Sequence, residues 1–294
     1  MNLQPAHPPH FATSADVAAR LAETGYLADD DIATIVLLAD RLSKPLLIEG
    51  PAGVGKTELA KSLASLLGVE LVRLQCYEGV DETKALYEWN YKKQLLRIQA
   101  GGDSWDELSD DIFGEPFLLE RPVLRALRSA EAVVLLIDEV DKLDYEAEAL
   151  LLEVLSDWQI TIPEMGTVRT DRPPYVVLTS NNSRELSEAL KRRCLYLFLD
   201  YPTTARELAI VTKRVPEISE KLAAQLVRVV HSIRDLELKK SPSIAETLDW
   251  AQTLAHLGAE ILDEEMIRRT LSVVLKFRSD IERATDHLIG TAPR

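Results

Sequence analysis

Eight consecutive residues, Gly50-Pro51-Ala52-Gly53-Val54-Gly55-Lys56-Thr57, place three glycines, a lysine and a hydroxyl in the pattern GxxxxGK[ST]. Glycines let the backbone curl until successive N–H groups face one centre, which suits an anion rich in oxygens. In that arrangement Lys56 reaches the outer phosphates of a nucleoside triphosphate such as ATP, and the Thr57 hydroxyl ligates Mg²⁺. Nucleotide contact is assigned to the whole segment Gly50 to Thr57 and to Glu58 beside it. An apolar run, Leu46-Leu47-Ile48, leads into the loop, and helical periodicity from Lys56 to Leu67 follows it, ending at Gly68. Strand, glycine loop and helix in that order are the context the pattern requires.

Hydrolysis of a triphosphate needs an acidic element near the metal. Val133-Val134-Leu135-Leu136-Ile137-Asp138-Glu139 reads as a buried strand ending in two carboxylates. Asp138 is expected in the Mg²⁺ shell and Glu139 beside the attacking water, which it polarises. Alone, such a pair could be a solvated strand tip; the glycine loop favours the chemical reading. A further strand, Tyr175–Thr179, ends in Ser180-Asn181-Asn182. Asn181 is expected to orient the water or touch the γ-phosphate, and Asn182 to cap the next helix. Arg192 and Arg193 then close a helix. Basic residues there complement the helix dipole, but two adjacent arginines also suit a finger offered to a neighbouring subunit's nucleotide.

The elements that must position these groups follow from periodicity. Apolar spacing between Ser14 and Arg41 predicts two helices broken at Gly25, and Glu70–Gln75 reads as a second strand. Tyr77 to Asp111 reads as an insertion or mobile loop, followed by a helix over Pro122–Ser129. Ala147, Leu150, Leu151, Val154, Leu155 and Trp158 share a helix face. Gln159–Thr170 reads as a β-hairpin turning at Glu164-Met165-Gly166. A helix over Arg184–Arg192 and a strand over Leu195–Leu199 complete the series. Five strands alternating with helices predict an α/β fold with a parallel sheet covered on both faces. Beyond Tyr201-Pro202 the pattern is helical, opened by expected capping boxes at Thr204-Ala205-Arg206-Glu207 and Ser243-Ile244-Ala245-Glu246. Residues 1–13, with three prolines, form a loose arm; 14–202 form the α/β core and 203–294 a helical domain.

Composition narrows the partners. With 34 Lys+Arg against 48 Asp+Glu the net charge is −14, which repels phosphate backbones and disfavours nucleic acid. No apolar stretch reaches membrane-spanning length and no signal peptide opens the chain. Cys76 and Cys194 form no CxxC pair and read as buried thiols in a reducing cytoplasm. The five histidines lack metal-ligand spacing.

Together, the glycine loop, Leu135-Leu136-Ile137-Asp138-Glu139, Leu152-Glu153 with the hairpin, Thr179-Ser180-Asn181 and Lys191-Arg192-Arg193 resemble an AAA+ ATPase, more narrowly the MoxR family. Leu74-Gln75-Cys76-Tyr77-Glu78-Gly79, Leu86-Tyr87-Glu88-Trp89-Asn90-Tyr91 and Phe117-Leu118-Leu119-Glu120-Arg121-Pro122 are similar to its branch associated with carbon monoxide dehydrogenase and related molybdenum hydroxylases. The resemblance implies the sheet order 5-1-4-3-2 and an α-helical lid. It also implies a homo-oligomeric ring, usually a hexamer, that remodels a client protein with a von Willebrand A partner, the hairpin facing the pore. One departure is Ser243 after Ser241-Pro242, where relatives commonly place a nucleotide-sensing arginine; Lys239 and Lys240 lie nearby. Two other functions remain open. A DNA-acting motor or clamp-loader-like subunit is opposed by the acidic charge, and a non-hydrolysing nucleotide-gated scaffold is opposed by Glu139.

Overall fold

The computed structural model describes residues 9–80, 82–100, 112–163 and 165–290. The start of the N-terminal arm (1–8), the end of the expected insertion (101–111), Glu164 in the hairpin turn and residues 291–294 lie outside the described residues.

Nine strands are described: β1 Leu46–Glu49, β2 Glu70–Gln75, β3 Tyr87–Trp89, β4 Leu118–Glu120, β5 Val133–Asp138, β6 Gln159–Ile162, β7 Gly166–Arg169, β8 Tyr175–Ser180 and β9 Leu195–Phe198. Five of them form a parallel sheet in the order β2-β5-β8-β1-β9. Counted along that sheet's own strands, this is the expected order 5-1-4-3-2. The three inner strands β5, β8 and β1 are buried at every position, which is why they read as unbroken apolar runs. The edge strand β2 alternates instead, turning Arg73 and Gln75 outward. The hairpin β6–β7 is antiparallel, with Ile160 opposite Val168.

By its contacts the chain divides into two units. One contains Ala28–Glu49 and Thr57–Phe198 with the stretch up to Thr24; the other gathers Leu199–Arg294 with Gly25–Leu27 and Gly50–Lys56. In the first unit the helices Ser14–Glu23 and Asp30–Leu42 pack together, capped by Thr13 and Asp29. Phe11 is buried, and buried Asp40 accepts the backbone N–H groups of His10 and Phe11. The chain is therefore anchored from His10 onward.

Three local expectations are corrected. Tyr77–Asp111 is not a single mobile loop: after a turn at Glu78-Gly79 come a short helix Glu82–Ala85 and β3, which pairs antiparallel with β4, and helix Tyr91–Ala100 follows β3. Tyr87 and Trp89 are buried, and Trp89 meets Phe113 edge to face, so aromatic packing orders this segment. The helix expected over Arg184–Arg192 begins only at Glu188, with Ser187 as its cap in place of Asn182. Its predicted first turn is diverted because Asp141 takes the Ser183 N–H and buried Glu148 takes the Ser187 N–H. The box at Thr204 is likewise displaced. Thr203 is the cap, and Glu207 turns inward.

The second unit packs five helices, Thr204–Arg214, Glu220–Arg234, Ile244–His256, Glu264–Val274 and Arg278–Ile289, around Val227, Val230, Trp250 and Leu271. The capping box at Ser243 and Glu246 is present. Glu207 is fully buried, and Arg234 donates to both its oxygens, at 2.5 and 2.7 Å. Thr247 Oγ1 donates to it at 2.8 Å, and His231 Nε2 lies 2.8 Å away. Among the described residues no helix is long and apolar enough to cross a membrane. Glu207→Ala strands Arg234 in the helical core, and the expected cost is about 3–5 kcal/mol of stability. Urea denaturation of the variant against the parent measures it.

Candidate functional site

The glycine loop is shaped by backbone conformations and approaches that side chains would block. Gly50 has φ 153° and Gly53 φ 75°. A Cβ on Gly50 would lie 1.9 Å from the Leu199 carbonyl oxygen, and one on Gly53 2.2 Å from Ser243 Oγ. Such distances admit only glycine. Lys56 is buried, and its Nζ donates to the carbonyls of Gly50 and Pro51, both at 2.7 Å, so the loop curls around its own lysine. Val54 is buried and Ala52 exposed. Lys56 and Thr57 open the helix Lys56–Leu67, whose N-terminal dipole favours an anion. Glu58, in its first turn, lies 3.9 Å from Lys61.

The carboxylate element is built in the first unit. Asp138 ends β5 at only 3% exposure. Its Oδ1 accepts from Thr57 Oγ1 at 3.0 Å and from Thr179 Oγ1 at 2.5 Å. Its Oδ2 accepts from Arg73, through Nε at 3.1 Å and a terminal nitrogen at 2.5 Å. Parallel pairing of Ile137 with Leu178 sets Thr179 beside this carboxylate. The same Thr179 oxygen accepts the Glu139 N–H at 2.9 Å. Glu139 adopts the left-handed conformation, φ 58°, an uncommon state for a residue with a side chain and one that turns the chain sharply off the strand.

Asp141 secures the Asn181 segment. It accepts the Asn181 N–H at 3.2 Å, the Ser183 N–H at 2.9 Å and the Ser183 hydroxyl at 2.6 Å. Burial alone would raise its pKa, but the bonds from Ser183 and Asn181 outweigh it and hold the group below its ordinary value. Nearby Cys76 shows the field of these acids: its thiol is pushed up to about 12, first by burial, then by Asp138, Asp141 and Glu139. Cys194, also buried, is pushed up to about 12 by burial.

In the first unit Thr179 thus joins Thr57, Asp138 and Glu139 in one hydrogen-bonded network, and Asp141 separately holds Asn181 just past the end of β8. Arg192 and Arg193 lie apart, at the end of helix Glu188–Arg193. Arg192 is 75% exposed and pairs with Glu188 one turn back. Arg193 donates to the Ala189 carbonyl and to Ser156 Oγ. Sequence reasoning missed Arg73 as a partner of Asp138 and Asp141 as the anchor of Asn181. For Arg73 the outward alternation of an edge strand gave no signal; for Asp141 its place three residues after Asp138 was a weak one.

The donor set suits magnesium. Thr57 and Asp138 offer oxygens only, and no group of three or more His, Cys, Asp or Glu suited to a metal occurs among the described residues. A site with one hydroxyl and one carboxylate matches a cation that keeps several waters and takes phosphate oxygens.

Fold and site together define a class. The chain belongs to the AAA domain (dynein-related subfamily) family, which matches residues 45–194, about half its length and the stretch that holds the β1–glycine loop, Asp138 and Asn181. At the level of family it is a nucleotide-binding ATPase. It is similar to the denitrification regulatory protein NirQ of Stutzerimonas stutzeri, 24% identical over 210 residues, 69% of this chain and 68% of NirQ. An uncharacterized protein of Staphylococcus saprophyticus is 26% identical over 263 residues, 85% of this chain and 92% of that protein. Two solved RuvB mutants of Thermotoga maritima share the fold at TM-scores of 0.51 and 0.50. They are 22% and 20% identical, over 83% and 90% of this chain and 67% and 71% of theirs.

The depressed pKa of Asp141 has a pH consequence. Its stabilising effect is complete above the unfolded carboxylate value near ~4 and is lost as pH falls through its own lower value. Asp141→Asn is therefore expected to lower stability at pH 7, with the difference from the parent narrowing as pH drops below about 4. Denaturant midpoints across that range test it.

Proposed function

We propose that this protein is an ATP-hydrolysing AAA+ ATPase of the MoxR type that remodels or activates a client protein as a ring, a hexamer by family resemblance. In this reading 14–202 is the ATPase core and 203–294 its helical lid. The observation that carries it is the hydrogen bond between Thr57 and Asp138, which joins the hydroxyl that ends the glycine loop to the carboxylate that ends β5. Those two oxygens would hold Mg²⁺, whose chemistry is to neutralise charge on the β- and γ-phosphates. Gly50 to Thr57, with Glu58, cradle the phosphates, every residue of the segment but Pro51 carrying a backbone N–H, and Lys56 supplies the cation. Glu139 takes a proton from water as the water oxygen bonds to the γ-phosphorus and the bond to the ADP oxygen breaks. Asn181, its backbone held by Asp141, orients that water. Arg192 and Arg193 complete the site of an adjacent subunit, and the exposure of Arg192 suits such a role.

The similarity to the denitrification regulatory protein NirQ supports a regulatory role, and the family resemblance adds a von Willebrand A protein as partner and a molybdenum hydroxylase as client. The likeness to RuvB concerns fold alone, and the net charge of −14 weighs against a DNA substrate.

Lys56→Ala is expected to abolish ATP binding in calorimetry; unchanged affinity would remove the loop assignment. Glu139→Gln should bind ATP normally yet hydrolyse it at least ~100-fold more slowly in a phosphate-release assay. Replacing both Arg192 and Arg193 by alanine should preserve binding and slow hydrolysis by about 10³-fold. Mixing that double variant with Lys56→Ala subunits should restore part of the activity, because some interfaces then pair an intact loop with intact arginines. Mixed rings that assemble by mass measurement but stay inactive would refute the finger.

A further inference from the structure

Asp138 is bound from both sides. Thr57 and Thr179 hold Oδ1, and both Arg73 contacts converge on Oδ2. The guanidinium is itself steadied, because a terminal nitrogen also donates to Gln75 Oε1. Arg73 extends from the outward face of the edge strand β2, two residues before Gln75, and its side chain is 47% exposed. It is not needed to fill the core, nor to orient the carboxylate, since two hydroxyls already fix Oδ1. What it adds is a full positive charge on the remaining oxygen of the acid assigned above to the metal.

We propose that Arg73 competes with the divalent cation for Oδ2 of Asp138 and so sets the cation concentration at which the site fills. The inference rests on the reading of Thr57 and Asp138 as the magnesium site. A hydrated cation and a guanidinium seek the same lone pairs, and their like charges repel across a short distance. Filling the site therefore requires the arginine to leave Oδ2. Its exposed side chain can do so by rotating into solvent, with Gln75 as an alternative acceptor. Lysine at this position would keep the charge but lose the two-pronged grip on one oxygen. Arg73 is thus a positioning residue that acts through Asp138 and tunes metal dependence.

The test titrates Mn²⁺, read by electron paramagnetic resonance, into protein holding a non-hydrolysable ATP analogue. Arg73→Met and Arg73→Gln should lower the half-saturating Mn²⁺ concentration by about tenfold or more, since a unit charge at this range is removed. Arg73→Lys should fall between these and the parent. Circular dichroism melting confirms that each variant is folded, and the neutral pair keeps the test open if one of them is not. Asp138→Asn, run in parallel, should weaken Mn²⁺ binding. Unchanged affinity in both neutral variants, with Asp138→Asn still weakened, overturns the competition and leaves the site assignment standing. Weaker binding in the neutral variants overturns it too, because Arg73 would then assist the cation. Should Asp138→Asn also bind Mn²⁺ as the parent does, the magnesium-site reading fails along with the inference.

Discussion

A carboxylate at 3% exposure must find hydrogen-bond donors within the protein, and the geometry of the core follows from where Asp138 finds them. Two come from hydroxyls on separate segments, Thr57 at the start of a helix and Thr179 near the end of β8; the third is Arg73 on β2. Only a sheet that places β5 between β2 and β8 lets both neighbours reach the same acid. Strand order, loop position and carboxylate orientation are therefore one constraint. Because Thr179 also accepts the Glu139 N–H, the hydroxyl that donates to Asp138 also steadies the turn that carries Glu139.

Buried acids serve the same purpose elsewhere. Asp40 ties down His10 and Phe11, Glu148 takes the Ser187 N–H and pairs with Arg184, and Asp141 fixes Asn181 and Ser183. In the helical unit Glu207 gathers Arg234, His231 and Thr247. Each accepts several bonds, as burial of a charge demands. Part of the chain's acidity is thus internal scaffolding.

The helical unit is linked to the glycine loop by steric contact. Ser243 stands where a Cβ on Gly53 would fall, while Glu246 receives the Ser243 N–H and Lys240. Burial would raise the Glu246 pKa, but the bonds from Ser243 and Lys240 draw it below its ordinary value. Ser243 thus has both a capping role and a packing role against the loop. The cap was foreseeable from the Ser-x-x-Glu spacing, whereas the packing depends on residues almost two hundred positions apart.

Much of the fold was legible because its signals are local. The inner strands are buried on both faces and so appear as apolar runs, and the glycine loop must be written in consecutive residues because consecutive N–H groups form it. Asp138, Glu139 and Asn181 could be named from their places at strand ends. What the sequence left open were contacts between distant residues with no periodicity of their own. Arg73 looked like any outward residue of an edge strand until pairing with β5 set it against Asp138. The delayed helix at Glu188 and the inward turn of Glu207 both contradicted good local patterns. In each case a buried acid and its donors outweighed a propensity of a few tenths of a kcal/mol to about 1 kcal/mol, and only the tertiary structure brings those partners together.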